Sequence, residues 1–523
     1  MNPRLSTIVR RRGSRPEIDC SKAVPAFGPI PLPGARAARR LPENTVIAAR
    51  GESHVFDRKT LPTSGGPTES PSSTEEFFRR MDRELEQGIV SPRIFSDPDI
   101  YRYELDRIFA RCWCFVAHET EIPTPGDYVL RYIGQDQFIV VRDEDGRINV
   151  LFNKCTHRGS PVCRVEKGNS SHFRCPYHSW VFKNNGDWSG APHRKKAYRK
   201  LDAEQWGLAA APHVDSVHGL IFASLDPGAP TLDEYLGGMR WYLDALLGLN
   251  EQGMSAIGEP HRWRVPANWK SGAENFMADA YHVPSLHRSA EEVGMFPGIE
   301  TGGAGPQGVS RHVFFDEGHG MIVNDGFLPP PWHRSGFPPE VAETFQLDRL
   351  PADQRQFVEN HSATTFLIFP NLGLVRVPAA PHPDAPPAVF TYLRQWQPTG
   401  PDTIVNWNWT LGWNSAPADF NEEAYVAALS MHGPAGILEQ DDTVVWGGAP
   451  VAGRSVFARK NGMRFNFQLG LNGMSDYAED PEWAFPGRAT TTALGEAPQR
   501  AFYRRWLHEV STADEVDGQE VRR

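Results

Sequence analysis

Cysteine is scarce in this chain. Six of 523 residues carry a thiol: Cys20, Cys112, Cys114, Cys155, Cys163 and Cys175. They show no disulfide framework, which fits a reducing cytoplasm. Long apolar runs are missing as well, and no stretch reaches the roughly 20 residues needed to span a bilayer. Arg10-Arg11-Arg12 could open a twin-arginine export signal, but the apolar stretch that should follow is absent. Positive charge is not in excess either. A net charge of −10 argues against nucleic acid or an anionic membrane as the main partner. No P-loop pattern occurs, so this chain is not expected to bind a nucleotide.

Glycine (47) and proline (45) are abundant and predict many long loops, while 40% hydrophobic residues suffice for two or three packed domains. Residues 1–72 are rich in Pro, Gly, Ser and Arg without a sustained period, and read as a disordered arm. Residues 73–112 read as a helical lead-in packed on the last domain. Ser73-Thr74-Glu75-Glu76 forms a capping box, and Asp97-Pro98 opens a second helix with Tyr101, Leu105, Ile108 and Cys112 on one face. Cys112 and Cys114 are expected to be simply buried. Residues 113–226 read as a small β domain, with hairpin turns at Asp145-Gly146 and Asn185-Gly186. Asp226 to Pro230 resembles a linker. Residues 227–523 read as an α+β domain on an antiparallel sheet, opened by a helix whose apolar face runs from Leu232 to Leu247. The Gly- and Pro-rich stretch 296–341 is a candidate lid.

Two constellations carry chemistry. The first is Cys155-Thr156-His157, seventeen residues, then Cys175-Pro176-Tyr177-His178. Two Cys and two His suit either zinc or a [2Fe–2S] cluster with Cys on one iron and His on the other. Zinc sites usually pair Cys with Cys and His with His along the chain. Here each short loop offers one of each, as two loops clasping a cluster from opposite sides would. Both loops are expected at hairpin tips. The second constellation is Glu274 to His287. If helical, Asn275, Asp279 and His282 share a face. His287 follows His282 by five, with Pro284 between, so the imidazoles converge only if the helix bends or ends. Two His and a carboxylate would make the facial triad of non-haem Fe(II) oxygenases. Asp279, three before His282, is placed to orient that imidazole.

The pattern C-x-H-x17-C-x2-H, with Arg158-Gly159 and Trp180, resembles the Rieske segment of aromatic-ring-hydroxylating dioxygenase large (alpha) subunits. N-x-x-x-D-x-Y-H-x4-H from Asn275 to His287, and the segment Gly433 to Asp442, are similar to that family too. The resemblance implies a small all-β Rieske domain and a larger helix-grip domain, its antiparallel sheet covered by helices. It implies a [2Fe–2S] cluster on Cys155, His157, Cys175 and His178, and a mononuclear Fe(II) on His282, His287 and Asp442. Asp441 and Glu439 are alternative carboxylates. It further implies that Asp279 meets His178 of a neighbouring copy, and that Phe276, Val283, His432 and Leu438, with Asn275, line the substrate pocket. A polar wall at His432 would suit a substrate with a polar group. Ser179 and Ala278 stand where the family favours Gly, both small enough to be tolerated. The implied activity adds both atoms of O2 to an aromatic ring, giving a cis-dihydrodiol. Electrons would come from NADH through a reductase, with or without a ferredoxin. A small beta subunit in an α3β3 assembly, or α3 alone, is the implied oligomer. The same metals also serve Rieske monooxygenases and O- or N-demethylases. The basic run His193-Arg194-Lys195-Lys196, with Arg199 and Lys200, reads as a solvated loop or as a docking site for an acidic ferredoxin.

Overall fold

A computed structural model of the chain describes residues 73–198, 201–296, 310–325, 337–471 and 477–512. The arm expected over 1–72 lies outside them. Ser73 starts the first helix, Thr74–Leu85, by accepting the Glu76 N–H on its hydroxyl at 3.2 Å. That helix buries Phe77, Phe78, Met81 and Leu85. Asp97 caps the second, Pro98–Glu104. The carboxylate of its last residue, Glu104, is buried, accepts from Trp269 Nε1 (2.9 Å) and Trp506 Nε1 (2.8 Å), and pairs with Lys270 Nζ. A buried carboxylate is tolerated only with such partners. They bind the lead-in to the helices Trp269–Ala278 and Ala497–Ser511. Cys112 and Cys114 are buried, as expected.

The β domain joins two small antiparallel sheets. One has the order Ile148–Phe152, Asp136–Arg142, Asp127–Ile133, Lys167–Asn169, and the other the order His172–Arg174, Val181–Lys183, Trp188–Gly190. Both expected hairpins form. Their glycines, Gly146 and Gly186, take φ of +82° and +95°, a region that other residues enter at a cost. Only the second Cys–His loop sits at a hairpin tip, between His172–Arg174 and Val181–Lys183. The first connects the two outer strands of the four-stranded sheet, which do not pair with each other. Strand alternation predicts pairing partners poorly when a loop crosses a sheet, so that expectation failed.

Among the described residues the last domain is built on nine antiparallel strands. Their order is Met254–Ala256, Thr403–Trp413, Ala388–Gly400, Leu372–Ala379, His361–Ile368, Gly320–Asp325, Ser310–Phe314, Arg488–Ala489, and His261–Val265 pairs with Thr403–Trp413 alongside Met254–Ala256. The helix Trp269–Ala278 lies against this sheet, near His361–Ile368. Gly272 makes the approach possible, because a Cβ there would fall 2.1 Å from Trp396 Nε1. The helix expected from Leu232 to Leu247 is broken at Gly237, whose φ is +50°, into Leu232–Leu236 and Gly238–Leu247. A local capping box on Thr231 and Glu234 closes the first piece early. The candidate lid is corrected in its middle. Residues 310–325 form two paired strands of the sheet, while 297–309 and 326–336 lie outside the described residues.

At the end of the strand Gly320–Asp325, Asp325 accepts from Arg311 and from His361 Nδ1 (3.0 Å). Burial opposes ionisation, but the His361 and Arg311 hydrogen bonds and charges outweigh it and hold the carboxyl down to about 2. A depressed carboxylate stabilises the fold above its unfolded pKa, near 4, and the stabilisation is lost as pH falls through the folded value. Wild type should therefore exceed Asp325→Asn by about 2 kcal/mol at pH 6. Urea midpoints measured from pH 6 to pH 3 should show the gap closing below pH 4. A gap independent of pH would refute the ion-pair account.

Candidate metal centres

The two Cys–His loops of the β domain are built alike. Cys155 N–H donates to Ser160 O (2.8 Å) and Gly159 N–H to Cys155 O (2.8 Å); Cys175 N–H donates to Trp180 O (2.8 Å) and Ser179 N–H to Cys175 O (3.0 Å). The equivalent residues Gly159 and Ser179 are left-handed, at φ +71° and +57°. Serine holds that conformation at a cost of about 1 kcal/mol, so its replacement of glycine is tolerated but not free. The loops bring the rings of His157 and His178 to 4.6 Å between centroids. Trp180 lies flat on His157, at 4.8 Å and 4°.

The donor set fits a cluster. Nδ1 of both histidines is buried and has no hydrogen-bond partner. Cys155 and Cys175 are buried side by side, and burial pushes the Cys155 thiol up, the neighbouring Cys175 adding to it. Desolvation, then the charges of His178 and Arg158, push His157 below its ordinary value. Two imidazoles with idle nitrogens, on the loops that carry two adjacent buried thiols, form a poor core without a metal and a good site with one.

In the second constellation the helix ends sooner than its spacing suggests. Asn268 caps its start by accepting the Lys270 N–H (3.0 Å), and it stops at Ala278. Asp279 leaves the helical region at ψ 84°, so Asn275, Asp279 and His282 do not share one continuous helical face. A new turn, Val283–Leu286, begins with Pro284 near its first position, where a missing N–H costs nothing. This break turns the imidazoles inward, and His282 Nε2 lies 3.2 Å from His287 Nε2.

Asp442 reaches the same point from the helix Ile437–Trp446. Its Oδ1 is 3.3 Å from His287 Nε2 and 3.7 Å from His282 Nε2. The outer nitrogens have carboxylates of their own. Asp279 Oδ2 stands 3.2 Å from His282 Nδ1, and Asp441 Oδ2 3.5 Å from His287 Nδ1. Each carboxylate favours a proton on Nδ1 and leaves the Nε2 lone pair pointing inward. Burial disfavours a charged His282, yet Asp279 and then Asp442 outweigh it and raise the group to about 9. The pocket thus stabilises positive charge. Asp442 Oδ1 is buried without a hydrogen-bond partner, and one divalent ion at about 2.1 Å would reach all three inner atoms. Two His and one carboxylate leave positions open on such an ion.

The other expected site residues are distributed unevenly. Asn275 Nδ2 lies 3.4 Å from His282 Nδ1. His432 is buried against Tyr392 (4.7 Å between rings), and burial, then the charges of Arg394 and His287, push it well below its ordinary value. Phe276 packs on Trp396 (4.7 Å) and Leu438 is buried in the same core, with Val283 at its edge. Glu439 is occupied elsewhere. Its carboxylate pairs with Arg394 and accepts from Asn406 Nδ2 (3.0 Å). Sequence reasoning missed Arg394, since a strand buried on both faces shows no alternation to single it out. It also missed Glu274, whose Oε2 is buried without a partner, and whose carboxyl is held well above its usual range by burial and then by the charges of Asp279 and Glu496.

Comparison with known proteins gives two family matches. A Rieske [2Fe-2S] domain matches residues 112–211, and a ring hydroxylating alpha subunit catalytic domain matches residues 232–449. The N,N-dimethyl phenylurea N-demethylase subunit alpha of a Sphingobium species is 37% identical over 83% of this chain and 94% of its own. The biphenyl 2,3-dioxygenase subunit alpha of Rhodococcus jostii is 33% identical over 82% and 90%. The crystal structure of naphthalene 1,2-dioxygenase from Rhodococcus sp., bound to indole, superposes with a TM-score of 0.78 at 36% identity, covering 85% of this chain and 99% of that one.

Proposed function

Because this chain belongs to the Rieske-type ring-hydroxylating oxygenase alpha subunits, we propose that it is the terminal component of a dioxygenase that adds both atoms of O2 to an aromatic ring, giving a cis-dihydrodiol. The observation that carries this reading is the convergence of His282 Nε2, His287 Nε2 and Asp442 Oδ1 within 3.2–3.7 Å of one another. In the proposal these three hold the mononuclear iron, and Cys155, His157, Cys175 and His178 hold the [2Fe–2S] cluster. When bound, the cluster supplies single electrons and the Fe(II) supplies a place where O2 can react beside the substrate.

The chain's own residues do the rest. Asp279 and Asp441 hold the Nδ1 protons of His282 and His287, so that neither ring can turn. Arg394 and Asn408 both donate to the carbonyl of His432, at 3.1 and 2.6 Å, and fix the end of the helix Ala418–His432. His432 is uncharged at neutral pH, its Nδ1 buried and unpaired. A polar substrate group is a fitting partner for it. The pocket of the proposal comprises Asn275, Phe276, Val283, His432 and Leu438. The electron supply is a reductase drawing on NADH, with or without a ferredoxin. The chain works in the cytoplasm as a trimer in which Asp279 of one copy faces His178 of the next, with a small beta subunit in an α3β3 assembly. No helix among the described residues is long and apolar enough to cross a membrane.

N-demethylation is the second reading, favoured by the 37% identity to the phenylurea N-demethylase subunit and by the polar His432. Turnover of aromatic hydrocarbons and N-methylated phenylureas under 18O2 separates the two. A diol carrying both labelled atoms is the expected result. Loss of a methyl group as formaldehyde, with one labelled atom going to water, would establish the demethylase instead.

A further inference from the structure

The charge of this chain is unevenly spread. From Lys154 to Tyr198 there are nine Lys and Arg against Glu166 and Asp187, a net +7 in a chain of net −10. The stretch that carries the Cys–His loops is therefore a basic island on an acidic protein. At its end, His193 takes a left-handed φ of +59° and turns the chain into a short helical turn, Arg194–Ala197. His193, Arg194, Lys195 and Lys196 are all exposed. Among the described residues no carboxylate pairs with Arg194, Lys195 or Lys196, in contrast to Lys167 and Lys183, which bond to Glu259 and Asp187.

The turn is also connected inward. The Arg194 guanidinium lies over Trp188 at 4.7 Å. Trp188 meets Trp180 at 5.4 Å, and Trp180 stacks on His157 at 4.8 Å. Three consecutive ring contacts lead from an exposed cationic turn to a proposed cluster ligand. His178 lies on another side, beside the exposed Tyr177 at 3.7 Å. The two imidazoles thus face different surroundings.

From this arrangement, and resting on the function proposed above, we infer that the turn Arg194–Ala197 is the docking surface for an acidic iron–sulfur electron carrier, and that electrons enter on the His157 side through Trp188 and Trp180. The step is a single outer-sphere transfer. The carrier's reduced cluster loses one electron, this chain's cluster gains it, and no covalent bond is made or broken. Complementary charge raises the encounter rate by about 10–10³-fold and weakens steeply with salt. The unpaired lysines provide that charge, and the buried indoles of Trp188 and Trp180, in edge contact at 5.4 Å, link the turn to His157.

The test uses the full-length holoprotein and a small acidic [2Fe–2S] ferredoxin, photoreduced with deazaflavin and added stoichiometrically. Lys195→Glu/Lys196→Glu is compared with Arg459→Glu/Lys460→Glu, an equal charge change on exposed residues elsewhere. The first pair should weaken ferredoxin affinity, measured by biolayer interferometry, at least about 10-fold. It should slow stopped-flow reduction of the cluster by a similar factor and flatten its salt dependence. The second pair should change each less than about 2-fold. Equal effects of the two pairs, or none, would overturn the docking site while leaving the function intact. Absence of a rhombic signal in dithionite-reduced wild type would instead remove the function on which the inference rests.

Discussion

Asp442→Ala should purify as a red-brown protein with about two irons per chain in place of about three. Its dithionite-reduced spectrum should keep the full rhombic signal, while turnover falls by more than about 100-fold. The expectation follows from how the three inner atoms are supported. Both histidines keep their carboxylate partners when Asp442 is removed, so the rings stay in place. The negative charge that faces them, only 2% exposed, is lost. Two imidazoles alone hold Fe(II) weakly in competition with water. Asp441→Ala is the informative contrast. It removes the partner of His287 Nδ1 and leaves all three inner atoms, so iron affinity should drop about 10–100-fold, with activity recoverable at high Fe(II). Full turnover of Asp442→Ala, or normal iron content, would dismiss the triad.

The two candidate metal constellations stand out in the sequence because their Cys and His residues are clustered and chemically unusual. Cys155 to His178 spans one loop and one hairpin, and His282 and His287 lie in one turn. Asp442 was reachable only through resemblance, since spacing says nothing about a carboxylate 155 residues away from His287. Asp441 illustrates the limit. Two adjacent carboxylates on a helix point about 100° apart, so both can serve one histidine cluster in different roles, and the sequence offers no means of ranking them. Helix starts were readable from Ser73, Asp97 and Thr231, each a side-chain cap. Helix ends were not. Gly237 and Asp279 both stop helices that their apolar or polar spacing would have continued. The strands at 310–325 were hidden by flanking Gly and Pro, which set the composition of the whole window.

The pair Arg394–Glu439 should be the most sensitive structural element near the second site. Both side chains are at most 1% exposed. Arg394 also donates through Nε to Asn408 Oδ1 (2.6 Å) and through Nη2 to the His432 carbonyl (3.1 Å). Arg394→Met preserves volume but leaves Glu439 buried opposite no cation, one turn before Asp442. Breaking such a pair from one side costs about 3–5 kcal/mol, whereas replacing both partners with apolar residues is often near neutral. The urea midpoint of Arg394→Met should therefore fall sharply, and that of Arg394→Met/Glu439→Leu should recover most of the loss. Iron content should separate the roles of the two groups. If Arg394 acts only through packing, the double variant also regains its third iron. If its charge and bonds hold the helix that carries Asp442 in register, stability returns while iron and turnover stay low. The bonds that Arg394 makes to the His432 carbonyl and to Asn408 Oδ1 favour the second outcome, because no apolar side chain can replace them. A single-variant unfolding free energy within about 1 kcal/mol of wild type would show that solvent reaches Glu439 after all.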